Sequence, residues 1–186
     1  MFIIKNNYYL YIENTKDINL KLINKNKKIF IIYRNYGVQE NLKTIIQYRK
    51  ECAKKGFKFY ISNSIKLLKE CGGDGLYLSS FNKKIYLYKN INLIGSAHNF
   101  REISEKITQG CKTILLSRLF KTSYKNKKDF LGVLRFNLIV QKYKVSIVPL
   151  GGIKKLNLLK LNMVKSDGLA LFSEVKKKPA IANRLF

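Results

Sequence analysis

The chain contains only three cysteines, Cys52, Cys71 and Cys111, and they are widely spaced with no CxxC pair. An odd and scattered set argues against a disulfide framework or a zinc site and favours a reducing compartment. No stretch approaches the roughly 18 uninterrupted apolar residues of a membrane span. The N-terminal sequence MFIIKNNYYLYIEN also lacks the sustained apolar core and cleavage site of a signal peptide. We therefore expect a cytoplasmic protein without a membrane partner.

Acidic residues are scarce. The chain has 11 of them and 37 lysines and arginines, which gives a formal net charge of +26. Such an excess favours nucleic acid, an anionic membrane or phosphorylated small molecules as partners. Only six of the basic residues are arginine, the better reader of bases and phosphates, and the lysines are spread along the whole chain. Nucleic acid is therefore the weaker expectation. The charge itself has two open explanations, a drift towards A/T-rich codons or a genuine anion-attracting field.

No Pro-, Gly- or Ser-rich linker divides the 186 residues, so we predict a single domain spanning the chain. Short apolar, β-branched and aromatic runs alternate with longer amphipathic stretches. This alternation predicts a parallel sheet with right-handed crossovers, either open or closed. The predicted strands are Tyr8–Ile12, Ile29–Arg34, Phe57–Ile61, Gly75–Ser79, Asn92–Ser96, Thr113–Ser117, Ser146–Leu150 and Gly168–Phe172.

Helical patterns lie between these strands. Within Gln39–Cys52, apolar or long aliphatic side chains recur at helical spacing. Asn99 and Glu102 form a capping-box pattern for a helix that starts at Phe100. The connection Thr15–Lys28 should contain the first helix, although its apolar residues fit no period well. Weaker helical stretches open at Asn63, Asn137 and Lys154.

An internal similarity favours closure of the sheet into a barrel. The segments DGLYLSS (residues 74–80) and DGLALFS (residues 167–173) share the pattern DGLxL, and CKTILLS (residues 111–117) is a degraded copy. Equivalent strands of a rotationally repeated (β/α)₈ barrel would look alike, but short strands after Asp-Gly turns also resemble each other by chance. A barrel of this kind usually needs at least about 200 residues, so its helices and loops must be short here.

The segment VSIVPLGGI (residues 145–153) predicts a phosphate site. In phosphate-binding barrels, the loops after the seventh and eighth strands hold a phosphate through main-chain N–H groups. Here those loops contain Gly151 and Gly152, and then Ser173 with its hydroxyl. The alternative is a tight strand-to-helix turn that needs glycine for its conformation only.

The ordered segments FYISNSIKLL, GGDGLYLSS, IGSAHN, ILLSRLFKTSYKNKKDFLG, VPLGGI and SDGLALFSEV resemble successive strand ends of the thiamine phosphate synthase/TenI family. The resemblance runs from about Ile29 to Val175. It implies a (β/α)₈ barrel with its active site at the carboxyl ends of the strands. It also implies coupling of a hydroxymethylpyrimidine diphosphate to a thiazole phosphate, with release of pyrophosphate and help from Mg²⁺. TenI relatives include a tautomerase that acts on a thiazole phosphate.

The resemblance carries over unevenly to the residues of the diphosphate and metal side. Arg34 matches the arginine of the family signature QLREK, which contacts the diphosphate, but Ile32 and Tyr36 replace its glutamine and lysine. Asn63 stands at the magnesium-binding aspartate of IINDRVDLA, and Asn82 stands at the final aspartate of GVHLGQED. Two neutral amides in place of two carboxylates should weaken a site for a hard cation considerably.

The other family motifs are better retained. Thr122 and Lys125 match FPTxSK, and both side chains are suitable donors to a phosphate. His98, the only histidine, stands where the family reads SxH and where tautomerase-type members transfer a proton; Ser96 beside it is a candidate substrate contact. His98 could instead only cap or pack against the following helix. The resemblance thus implies catalytic roles for His98, Arg34 and Lys125.

Three functional hypotheses follow. The first is a protein of thiamine biosynthesis, either a synthase or a tautomerase-like relative, that uses phosphorylated thiazole and pyrimidine molecules. The second is a barrel that binds a phosphorylated ligand without turnover. A basic nucleic-acid-binding protein comes third, since no recognised nucleic-acid motif occurs and the aromatic residues lie mainly in strand runs.

Overall fold

The computed structural model describes residues 5–23, 27–37, 40–86, 90–122 and 129–171. Eight parallel strands pair in chain order, and β8 pairs with β1, so the sheet is a closed barrel. The strands are β1 (Asn7–Ile12), β2 (Lys28–Tyr33), β3 (Lys58–Ser62), β4 (Gly75–Leu78), β5 (Asn92–Ala97), β6 (Thr113–Ser117), β7 (Ser146–Leu150) and β8 (Gly168–Leu171).

The α-helices of the described residues lie outside the barrel: α1 (Leu42–Lys54), α2 (Ile65–Cys71), α3 (Phe100–Thr108) and α4 (Gly132–Lys142). In the described parts of the β1–β2 and β7–β8 connections, the helical segments are the short 3₁₀ segments Leu20–Leu22 and Lys155–Met163. The described part of the β4–β5 connection has no helix. Because these connections are short, an eight-stranded barrel fits into a chain of 186 residues. No helix within the described residues has the length and apolar content needed to cross a membrane.

The sequence predictions for the sheet are confirmed. All eight strands exist, and wherever both ends are described their bounds agree with the prediction to within one residue. The choice of a closed barrel over an open sheet is confirmed as well. The helix from Phe100 is confirmed with its predicted N-cap, because the Asn99 side chain accepts the Glu102 main-chain N–H.

Two predicted helices are wrong. In the described part of Thr15–Lys28 there is only the 3₁₀ turn Leu20–Leu22. There the Asp17 carboxylate binds the main-chain N–H groups of residues 13 and 14 and fixes a turn instead of a helix. The other correction concerns α4, which begins at Gly132 and not at Asn137. The Asn137 side chain does not cap a helix start; it bonds the main chain at Met163 and Lys165.

Strand alternation sorts the apolar side chains into two layers. The outward-facing residues of the strands pack against the helices and form the larger core. The interior of the barrel holds unusually large rings: Tyr9 stacks on Phe30 with ring centroids 4.6 Å apart, and Tyr11 meets Tyr77 edge-on at 5.5 Å. The interior cluster consists of Tyr9, Tyr11, Phe30, Ile32, Tyr60, Tyr77, Ile94, Leu115, Val148, Leu150 and Ala170. The variable position of the DGLxL pattern, Tyr77 or Ala170, therefore points into the barrel.

Gly152 fixes the loop after β6 against the turn after β7. Its φ is +70°, and a Cβ there would lie 2.1 Å from the Phe120 carbonyl oxygen. The Phe120 N–H donates to the Gly151 carbonyl at 3.1 Å and continues the pairing of the two strands. Glycine is thus required at position 152 by the close approach of another main-chain segment.

This contact predicts a large difference between two glycine variants. Gly152→Ala should cost about 2–4 kcal/mol of unfolding free energy, because a left-handed conformation and a backbone overlap add up. Gly72→Ala is the matched control, since Gly72 has φ +64° and nothing lies within 4 Å of its Cβ position. It should cost only about 1 kcal/mol for the left-handed conformation. Urea unfolding of both variants measures the difference. Equal losses of unfolding free energy would contradict the close approach of the Phe120 carbonyl to Gly152.

Candidate active site

The carboxyl ends of the eight strands converge on one rim, and the sequence-predicted residues lie there. Arg34 follows β2, Asn63 follows β3, Asn82 follows β4, His98 follows β5 and Thr122 follows β6. Gly151 and Gly152 follow β7, and Ser96 lies near the end of β5 on the interior side, in step with Ile94. Lys125 and Ser173 lie outside the described residues, so their roles stay predictions.

The β6–β7 side of the rim combines a cation, a hydroxyl and a glycine turn. Arg118 Nη1 donates to Thr122 Oγ1 at 3.3 Å. A Cβ on Gly151 would lie 3.2 Å from Arg118 Cγ, so the arginine stem packs directly on the turn. Asn157 Nδ2 donates to the Gly152 carbonyl at 2.7 Å and holds the turn from the other side. A guanidinium, a hydroxyl and main-chain N–H groups are the groups that bind phosphate oxygens.

The β1–β4 side of the rim is aromatic. The Arg34 guanidinium lies 4.6 Å from the ring centroid of Tyr36 and 6.0 Å from that of Tyr77. Below it, the Tyr11 hydroxyl donates to the Tyr77 hydroxyl at 3.1 Å. Burial raises the pKa of Tyr11 well above its ordinary value; Tyr77 adds to the rise and Arg34 opposes it. Tyr11 therefore stays a neutral phenol at physiological pH, while Arg34 supplies the fixed charge above it.

Glu102 orients His98. The carboxylate accepts the His98 main-chain N–H at 2.8 Å and lies 3.0 Å from His98 Nδ1. Burial raises the pKa of Glu102, but the hydrogen bonds and charge of His98 and the bond from Asn99 outweigh it and lower that pKa below its usual value. Because a carboxylate only accepts hydrogen bonds, this contact is a hydrogen bond when His98 Nδ1 carries the proton. The His98 side chain is half-exposed.

Asn63 and Asn82 bind each other. Asn82 Nδ2 donates to Asn63 Oδ1 at 2.9 Å, and Asn63 Nδ2 donates to Ser79 Oγ at 2.8 Å. Asn63 has φ 56°, a left-handed conformation that asparagine tolerates better than most residues. From the outer side, the ammonium of the fully buried Lys106 donates to the Asn82 carbonyl. Gln109 Nε2 donates to the same carbonyl at 2.9 Å.

These residues do not fit the magnesium ion that the family resemblance implies. Mg²⁺ takes carboxylate and phosphate oxygens in octahedral geometry, whereas this pair is neutral. Its oxygens are also engaged, since Asn63 Oδ1 accepts Ser79 N–H and Asn82 Oδ1 accepts Lys84 N–H. Within the described ranges, no three His, Cys, Asp or Glu side chains form a group that could hold a metal.

Sequence reasoning missed several rim residues. Tyr77 and Ser79 share the interior register of β4, so alternation within the quoted DGLYLSS segment could have identified them. Arg118 lies four residues before Thr122 in the same motif. Lys106 carried no signal, because a lysine on an amphipathic helix is ordinarily solvated.

The sequence of the chain is similar to a known protein family. A model of the family described as thiamine monophosphate synthase matches residues 8–175. Thiamine-phosphate synthases of Prochlorococcus marinus subsp. pastoris and Pelagibacter ubique are 27% and 28% identical to the chain, covering 89% and 90% of it. The chain spans about half (49%) of the Prochlorococcus protein and 89% of the Pelagibacter protein.

A solved structure shares the fold. Thiamine phosphate pyrophosphorylase from Pyrococcus furiosus superposes with a TM-score of 0.77 at 18% identity, covering 97% of this chain and 91% of its own. The family match extends over nearly the whole barrel, from β1 to just beyond β8. The chain therefore belongs to the thiamine monophosphate synthase family.

Proposed function

We propose that the chain works in thiamine biosynthesis by binding a thiazole phosphate and coupling it to hydroxymethylpyrimidine diphosphate. The observation that carries this proposal is the cluster of Arg118, Thr122 and the Gly151–Gly152 turn. It shares one rim with Arg34 and His98 in a chain of the synthase family.

Each side of the rim then has a role. The phosphate of the thiazole binds at the β6–β7 side, where Thr122 and Arg118 donate to its oxygens, and the predicted Lys125 and Ser173 complete the site. The diphosphate lies towards Arg34. The thiazole nitrogen forms a bond to the pyrimidine methylene carbon as the carbon–oxygen bond to the diphosphate breaks. Arg34 stabilises the negative charge that develops on the departing pyrophosphate.

A second candidate is a tautomerase-like activity on the thiazole phosphate, which the His98–Glu102 pair favours. An imidazole whose Nδ1 is held by a carboxylate can move a proton at Nε2 between two positions of a bound ring. This activity needs the phosphate site and His98 but not Arg34. If Arg34→Met loses the activity measured for the wild type, that activity is the coupling reaction. If Arg34→Met keeps it and His98→Gln loses it, the activity is the tautomerase-like one.

Thiazole phosphate affinity tests the phosphate site. Thr122→Val keeps the shape of the side chain and removes the hydroxyl, so the Kd for thiazole phosphate should rise about tenfold, the loss of roughly one charged hydrogen bond. Thr108→Val is the matched control, because that hydroxyl only bonds the Ser104 carbonyl within α3. Isothermal titration calorimetry gives both constants. Unchanged affinity in folded Thr122→Val would remove Thr122 from the site.

The pH dependence of stability tests the Glu102 bonds. Because its pKa is lowered in the fold, Glu102 stabilises the protein above the ordinary glutamate range and loses this effect as pH falls through the folded pKa. Glu102→Gln should therefore cost about 1 kcal/mol at pH 7 and much less below about pH 4. Urea unfolding at several pH values measures this. Glu105→Gln is the control, since the Glu105 side chain forms an ion pair with exposed Arg101. A loss of stability in Glu102→Gln that stays constant across pH would contradict the assignment.

A further inference from the structure

Main-chain bonds fix the orientation of both amides in the Asn63–Asn82 pair. The Ser79 N–H donates to Asn63 Oδ1 at 3.1 Å, and the Lys84 N–H donates to Asn82 Oδ1 at 2.9 Å. Neither amide can turn over without losing its main-chain donor. The NH₂ group of Asn82 therefore must face the oxygen of Asn63, which makes the pair a directed contact between two loops.

The pair is also anchored from both sides of the barrel wall. Ser79 is 1% exposed and Lys106 is fully buried, so both residues that back the amide pair are shielded from solvent. The Lys106 stem crosses β5 at Gly95, where a Cβ would lie 2.9 Å from the lysine side chain. Lys106 thus holds the main chain of Asn82 from behind the rim, through the hydrogen bond of its ammonium to the Asn82 carbonyl.

We propose that the Asn63–Asn82 pair is a metal-free clamp that does the joining work of a bridging cation. It adds the Asn82–Asn63 amide bond to the bonds between Asn63 and Ser79 and so ties the end of β3 to the loop after β4, while Lys106 and Gln109 hold that loop against α3. The rim accordingly keeps its shape without a divalent cation. This inference concerns the free protein and stands apart from the proposed substrates.

The clamp predicts an asymmetry between two similar substitutions. In Asn63→Asp, the new oxygen faces the hydroxyls of Ser62 and Ser79, which can rotate to donate to it. In Asn82→Asp, the new oxygen faces the Tyr86 hydroxyl, which can donate to it, but it also faces Asn63 Oδ1 with no proton between them. The first substitution should be tolerated, whereas the second breaks the clamp and opposes two oxygens.

Thermal unfolding in EDTA and in Mg²⁺ measures this asymmetry. Wild type and Asn63→Asp should unfold within a degree or two of each other, with no response to Mg²⁺. Asn82→Asp should lower the Tm by about 5 °C in EDTA, as expected for a chain of this size when a partly buried hydrogen bond becomes a repulsion. The double variant Asn63→Asp/Asn82→Asp should lose more in EDTA and recover most of the loss in Mg²⁺, because a cation then bridges two carboxylates.

The control is Asn19→Asp/Asn41→Asp, which makes the same change of charge at two exposed N-cap residues that do not belong to the Asn63–Asn82 network. Aspartate caps as well as asparagine does, so its Tm should stay near that of wild type and ignore Mg²⁺. Calorimetric titration of Mg²⁺ should show binding to the double variant and none to wild type. A Mg²⁺-dependent Tm or Mg²⁺ binding in wild type would overturn the proposal, and so would equal losses in Asn63→Asp and Asn82→Asp.

Discussion

The pairing of β8 with β1 is the constraint on which the site depends. It closes the sheet, so every strand ends at the same rim and residues far apart in the chain become neighbours. The interior must then be filled, and four tyrosines with Phe30 fill most of it with rings. Because these rings occupy the space below the rim, a ligand can only bind above them, among the loops.

The rim has two unlike halves. In the half after β6 and β7, the main chain at Phe120 packs closely against Gly152, and the side chains of Arg118 and Thr122 lie beside this contact. The half after β3 and β4 is a neutral hydrogen-bonded network backed by Lys106. In the proposed function, Arg34 and Arg118 attract the anionic substrates to this rim, in keeping with the strongly positive net charge of the chain.

The sheet could be predicted from the sequence because each strand is a separate apolar run bounded by polar turns. The helix of Thr15–Lys28 could not be excluded in advance, since the bonds of Asp17 to nearby N–H groups depend on the loop geometry. For the site, the family motifs pointed to Asn63 and Asn82 as weakened metal positions. That the two amides bind each other required the register of β3 and β4, and the buried Lys106 behind them left no mark in the helical pattern. Arg118 and Tyr77 could have been predicted as site residues, because both lie in the motif segments identified from the sequence.

The most direct test of the central claim is a crystal structure of the wild-type protein grown with thiazole phosphate, pyrophosphate and Mn²⁺, with anomalous data collected to locate the metal. The account predicts phosphate density between Thr122 and the Gly151–Gly152 turn, and the Asn63–Asn82 hydrogen bond intact with no anomalous peak beside it. Phosphate bound elsewhere, or a manganese ion coordinated by the opened amide pair, would contradict it.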